Sequence, residues 1–151
     1  MARLKNALRG HFVGEFDPKN PKTEPKTYLE LAKWIATVGD DTDEETDDTG
    51  YYDGDGTKET TVIGVSGKYT FEGTYDSTDL AQKSIADKKY KTGDDRKVWH
   101  KVVSADGKTQ WVGVATVTGI KAGSGDATAY EEFSCEITYN QIPKESVVSG
   151  V

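Results

Sequence analysis

Few side chains in this sequence are of a type that does chemistry, and none has the spacing that chemistry needs. The two histidines, His11 and His100, lie far apart in the chain, and neither sits in a cluster spaced for a metal. No glycine-rich loop opens a helix to cradle phosphate, and no serine or cysteine stands in a nucleophile motif. The one cysteine, Cys135, falls on the apolar face of an alternating run, where a thiol behaves as a small buried hydrophobe rather than a reactive group. Adjacent carboxylates such as Glu131 and Glu132 point to opposite faces of a strand and cannot share a substrate. Asp53-Gly54-Asp55-Gly56 invites a calcium reading. An EF-hand-type loop, however, wants oxygen ligands before its glycine and a bidentate Glu after it, and positions 51 and 62 are Tyr and Val. Trp34, Trp99 and Trp111 fit either a sugar-binding platform or, more commonly for tryptophans on strands, core and interface anchors. The sequence thus offers no catalytic, metal-binding or cofactor-binding residue, and its function is to be sought in its surfaces.

The most distinctive surface is a block of charge. The net charge is −7, and nine of the 26 acids lie between Asp40 and Asp55 with no base among them; without them the 19 basic residues would nearly balance the rest. The acidity is therefore local, and the chain lacks the clustered Lys and Arg that ordinary nucleic-acid binding requires. Gly39 to Thr57 is too long and too charged for a tight turn, and its like charges should keep it mobile in the free protein. A solvated loop, a calcium site and an assembly surface are its three readings; the third would use Asp40, Asp41, Asp43, Glu44, Glu45, Asp47, Asp48, Tyr51 and Tyr52. Hydrophobic residues make up only 34% of the chain and the mean hydropathy is −0.68. No apolar run approaches the roughly 20 residues of a spanning helix, so any membrane role would be peripheral. The N-terminus carries Arg3, Lys5 and Arg9 without an apolar stretch behind them, so no signal peptide is expected.

The elements that would position this surface are mostly strands. The spine is Thr109 to Tyr139, two long alternating runs around Ala122-Gly123-Ser124-Gly125-Asp126. In its second run Phe133, Cys135, Ile137 and Tyr139 share one face, and Glu132, Ser134, Glu136 and Thr138 the other. Residues 1–26 read as an extended N-terminal arm, or a disordered tail: Pro18, Pro21 and Pro25 alternate with Lys19, Lys22 and Lys26, a polyproline-like composition. Tyr28 to Val38 fits both helical spacing and a covered strand; its threonine, valine and aromatics favour strand. Thr60 to Val65 and Lys68 to Tyr75 read as a strand pair turning at Ser66-Gly67. Residues 79–89 form the single helix, with Ser77 or Thr78 as cap. Arg96 to Val103 resumes a strand, Ala105-Asp106-Gly107-Lys108 turns it into the spine, and Pro143 ends the last strand before a tail at 146–151. The domain proper is 27–145. The fold class is mainly β, an antiparallel β-sandwich or part-closed barrel with one flanking α-helix, a long acidic loop and an extended N-terminal arm.

These residues resemble a known family. Tyr51-Tyr52-Asp53-Gly54-Asp55-Gly56 after an acid-rich loop is one element of the likeness. Phe71-Glu72-Gly73-Thr74-Tyr75-Asp76 running into Asp79-Leu80-Ala81-Gln82 is a second. The third is Gly125-Asp126-Ala127 through Tyr130-Glu131-Glu132-Phe133-Ser134, closed by Pro143-Lys144-Glu145. From about Tyr28 to Glu145 the chain is similar to the major tail proteins, or tail tube proteins, of long non-contractile-tailed bacteriophages (siphophages) of Gram-positive hosts. That resemblance implies a non-enzymatic virion subunit without cofactors, assembled as homo-hexameric rings that stack into a tube. Double-stranded DNA passes through such a tube without specific binding. It also implies partners of the kinds a tail has: tape-measure protein, tail assembly chaperones, and tail terminator and distal tail proteins, with no membrane. In such a tube the acidic loop becomes a ring-to-ring contact, Glu132 and Glu136 face either the lumen or, alternatively, the helix or solvent, and Lys19, Lys22 and Lys26 of the arm dock near a neighbour's acidic loop. A β-sandwich module that binds carbohydrate or a cell-surface partner is the alternative, and a calcium-dependent adhesion domain a third reading.

Overall fold

The computed structural model describes residues 3–148 apart from residue 53. Met1 and Ala2 of the expected arm, Asp53 of the expected contact loop, and residues 149–151 of the expected tail lie outside the described residues. Ten strands and one α-helix follow one another: β1 (Gly10–Glu15), β2 (Leu29–Glu30), β3 (Ile35–Asp40), β4 (Asp43–Thr49), β5 (Glu59–Ser66), β6 (Lys68–Thr74), α1 (Leu80–Ala86), β7 (Lys97–Val103), β8 (Thr109–Ala122), β9 (Glu132–Tyr139) and β10 (Lys144–Val147). Eight of the strands form one antiparallel sheet in the order β2-β1-β7-β8-β9-β6-β3, with β10 also on β8, and the sheet curls into a half-barrel. The mainly β class with one flanking helix is what the alternation predicts.

The spine works as expected and does more. β8 is long enough to serve two sets of neighbours: its first half pairs with β7 and β10, its second half with β9. A bulge between Thr118 and Lys121, with Gly119 at φ 59°, bends it between the two. The expected faces hold: Phe133, Cys135, Ile137 and Tyr139 are buried and meet Phe71, Val98, Ala115 and Val117 in the core. α1 lays Ala81 and Ile85 onto this core beside Leu31. Its cap is Asp79, which accepts a hydrogen bond from Gln82 N, rather than Ser77 or Thr78. The α-helical span stops at Ala86, and short-range turns carry the chain on to Lys91.

Four segments differ from the sequence reading. Within the proline-rich N-terminal segment, Gly10–Glu15 is extended as expected, but as a full strand inserted between β2 and β7 that buries His11 and Val13. Pairing with β2 and β7 decides this, not the prolines that follow it. Tyr28 to Val38 is two strands rather than one, because the chain reverses at Lys33-Trp34, where Trp34 takes φ 64°. Pro143 ends β9's run without ending the sheet, since β10 follows and covers the start of β8. The fourth difference concerns Ser66-Gly67, where the chain does not turn. Thr37↔Glu72, Asp40↔Tyr69, Asp43↔Ser66 and Glu45↔Gly64 are one unbroken antiparallel register, so β3 runs on into β4 and β5 into β6. The acidic segment, read as a loop, is the outer half of a single long hairpin.

Candidate functional site

The outer half of that hairpin is exposed along nearly its whole length. This half, β4 with β5, pairs with no other strand. Seven residues at about 3.3 Å each carry it roughly 20 Å beyond the sheet. All seven expected contact acids lie on it or at its root: Asp40 ends β3, Asp41 bonds Thr70 Oγ1, and Asp43, Glu44, Glu45, Asp47 and Asp48 occupy β4. Tyr51 and Tyr52 project from the tip, where Gly56 takes φ 83°. The sequence reading did not single out the facing strand. There Val62, Ile63 and Val65 are 51%, 60% and 47% exposed. By register Val62 and Val65 share a side with Thr46 and Glu44, the side that continues the core face of β6. The apolar stripe of the sheet thus runs on past its core and is left uncovered. A two-stranded ribbon with one strand of like charges is marginal by itself in water.

At the opposite end of the sheet lies a second feature that alternation does not disclose. Trp34 is 57% exposed and is the one non-glycine residue at positive φ among those described. Such a backbone costs of order 1–3 kcal/mol in a bulky residue and persists only where its surroundings enforce it. The enforcement is visible. Gly73 of β6 lets the Trp34 carbonyl come so close that any Cβ there would collide with it, and Thr74 N donates to that oxygen at 2.9 Å. Trp34 Nε1 donates to Asp76 Oδ2 at 3.0 Å, and Lys33 Nζ pairs with the same carboxylate oxygen at 3.4 Å. Asp76 also accepts from the backbone and hydroxyl of Thr78, which chiefly hold its carboxyl far below the usual range. The buried Gln82 then ties the turn to α1: its Nε2 donates to Lys33 O at 2.9 Å and to Thr74 O at 3.0 Å, while its Oε1 accepts from Asp76 N at 2.7 Å.

The outward face of the central strands is polar and rich in hydroxyls. Thr70, Glu136 and Thr118 lie abreast across β6, β9 and β8, as do Lys68, Thr138 and Thr116, and Thr74 lies beside Glu132. Glu132 is exposed, and Glu136 is half-buried with Lys68 Nζ at 3.5 Å. Both glutamates therefore share the face turned from the core, but the charge of Glu136 is offset by a neighbour that alternation could not pair with it. Lys19, Lys22 and Lys26 are exposed in the segment between β1 and β2 and make no ion pair among the described residues.

Inside the curl sits a polar cluster that the sequence reading treated as unremarkable. His11 and His100 stack at 5.6 Å between ring centroids, and Tyr69 and Phe71 reach His11 from β6, four strands away, at 5.1 and 5.2 Å. His100 Nδ1 lies 2.6 Å from the Tyr139 hydroxyl, whereas His11 Nδ1 and His100 Nε2 have no hydrogen-bond partner among the described residues. Burial, reinforced by Arg9, lowers His11 to about 4, and burial with His11 beside it lowers His100 to about 3. Burial pushes the Cys135 thiol up to about 12, which leaves it inert as a nucleophile. The tryptophans make no common platform: Trp99 is buried, Trp111 lies half-buried beneath Arg9, and Trp34 is exposed in its turn. Among the described residues no group of three or more His, Cys, Asp or Glu is placed to hold a metal, and no helix is long and apolar enough to cross a membrane.

No protein-family model matches the chain, and no curated protein does. Solved structures do. A chain in the tail of an empty gene transfer agent particle, refined with C6 helical symmetry, superposes with a TM-score of 0.69 at 12% identity, covering 98% of this chain and 100% of that one. A chain of the native gene transfer agent virion gives 0.62 at 14%, over 92% and 95%. A chain of an extracellular contractile injection system, in its sheath-tube complex in the extended state, gives 0.51 at 15%, over 91% and 88%. At such identities the likeness is one of fold, and the fold is one found in the tails and tubes of phage-like particles.

Proposed function

We propose that this chain is a non-enzymatic structural subunit of a phage-like tail tube. Copies form hexameric rings, the rings stack, and the genome passes along the bore as double-stranded DNA. The observation that carries the proposal is the full-length likeness of fold to a chain in a C6-symmetric tail. The sequence resemblance narrows it to the major tail protein of a siphophage of a Gram-positive host, made in the host cytoplasm and resident in the virion. Tape-measure, assembly-chaperone, terminator and distal tail proteins are its further partners. In this reading β4–β5, with Asp40, Asp41, Asp43, Glu44, Glu45, Asp47, Asp48, Tyr51 and Tyr52, is the ring-to-ring contact, and its uncovered valines and isoleucine favour that role. The hydroxyl-rich face bearing Glu132 and Glu136 lines the bore. The lysines Lys19, Lys22 and Lys26 lie against acidic ribbons of neighbouring copies. Sheet edges at β2 and β3 suit a polymerising subunit.

Negative-stain microscopy of the concentrated purified protein tests this directly. Rings or tubes are expected. A strict monomer at every concentration and salt, retained on a glycan array, would overturn it in favour of a carbohydrate-binding module.

A further inference from the structure

We infer that the Trp34 turn is the socket that receives the β4–β5 ribbon of a second copy in the next ring. The inference rests on the tube reading and names the surface that completes it. The ribbon leaves the sheet at the Lys68 end of β6, and the Trp34 turn is bonded to Thr74 at the other end of the same strand. A contact that repeats head to tail needs two different patches at opposite ends of the subunit, and these two are so placed. Each is incomplete alone. The ribbon exposes Val62, Ile63 and Val65, while the opposite end exposes Trp34 and, at the start of α1 just beyond Asp76, Leu80 at 65%. Charge agrees with apolar fit. β4 holds five carboxylates and no base. On the α1 side of the socket Lys83 makes no ion pair among the described residues, and of the acids by the turn Asp76 is engaged by Lys33 and Trp34 and Asp79 as the helix cap, while Glu132 beside Thr74 stays exposed. The strained backbone of Trp34 is the independent sign. Gly73, Asp76 and Gln82 together hold an exposed indole in a conformation its own backbone disfavours. Within the monomer the indole is left more than half exposed, which sets a rigid aromatic anchor for a partner.

Two measurements test this separately from the tube itself. Trp34→Gly removes the ring and at once relaxes the positive φ. The melting temperature of the free subunit should not fall, while tube yield by sedimentation should drop at least tenfold, and Trp34→Phe should recover part of it. A lower melting temperature with undiminished tubes would make the turn a purely structural element. The second measurement uses the double variant Ala32→Cys/Thr61→Cys, exposed positions close to Trp34 and Ile63 that leave both in place, with a short bis-maleimide, the native Cys135 being buried. Tubes should yield a ladder of covalent multiples, and dilute monomer none, since the two positions lie at opposite ends of one chain. Tubes visible by microscopy but without a ladder would overturn the socket and leave the tube standing. Failure of wild-type protein to form rings or tubes at any concentration would remove both.

Discussion

His11 and His100 put two imidazoles inside the curl of the sheet, and this has a pH signature with a definite sign. Both folded-state values, about 4 and about 3, lie below the ordinary value of 6.5. The unfolded chain therefore binds more protons as soon as pH falls below about 6.5, and stability is lost from there down to the folded values. The charged and titratable groups around the pair are Arg9, Tyr69 and Tyr139, with Glu30 and Asp40 lining the cavity of about 540 Å³ beside His11. None compensates an imidazolium there. The lowered Asp76 acts in a separate window, since its contribution is present above 3.8 and lost only below it. Chemical denaturation should show the free subunit weakening between pH 7 and pH 4 by about 3 kcal/mol from His11, each tenfold loss of proton affinity being worth ~1.36 kcal/mol. His11→Phe should remove roughly half of the total slope, His100 supplying the rest; an unchanged slope would clear His11. A second residue-scale expectation concerns Gln82, whose truncation to Ala leaves two carbonyls and one N–H without their partner. The cost should be about 3 kcal/mol of unfolding free energy, read from the denaturation midpoint. Phe133, Cys135 and Ile137 could be placed in the core from alternation alone. Gln82 and Trp34 could not, because their roles are set by partners as far as 49 residues away in sequence.

Among elements, long ones with strong periodicity were legible and short ones were decided elsewhere. The spine and the helix follow from their patterns, while β1 became a strand because β7 and β2 were there to pair with it. The acidic segment misled for a physical reason. Like charges in one strand oppose a hairpin locally, but register inherited from the β3–β6 ladder extends it outward. It follows that β4–β5 should be the least protected part of the free subunit. Hydrogen exchange is expected to be fast over 43–66 in monomer and markedly slowed in tubes. Replacing the acids of Asp40 to Asp48 by Ser or Gly should leave the main melting transition in place and reduce tube yield. Equal yields would separate the ribbon from assembly.

For the molecule as a whole, the central question is which way the hydroxyl-rich face turns. If it lines the bore, duplex DNA, with about one charge per 1.7 Å of axis, meets Glu132 uncompensated and Glu136 balanced by Lys68. That pair is partly exposed and contributes only about 0–1 kcal/mol to stability, so the fold does not depend on it. Glu132→Lys/Glu136→Lys should therefore fold and assemble, yet eject its genome slowly or incompletely, with added salt relieving the defect. Ejection at the wild-type rate in low salt would turn the face away from the bore.

The unbroken register from β3–β6 into the ribbon also has a mechanical meaning. A pull on the ribbon's tip acts along the axis of β3 and β6 rather than across it. The ladder that joins β6 to β9 then carries the load as shear, many hydrogen bonds in parallel, and cannot be peeled one rung at a time. A tether built as a separate loop would concentrate force at its two attachment points. Here the tether and the sheet are the same two strands, and tension on one is distributed through the other.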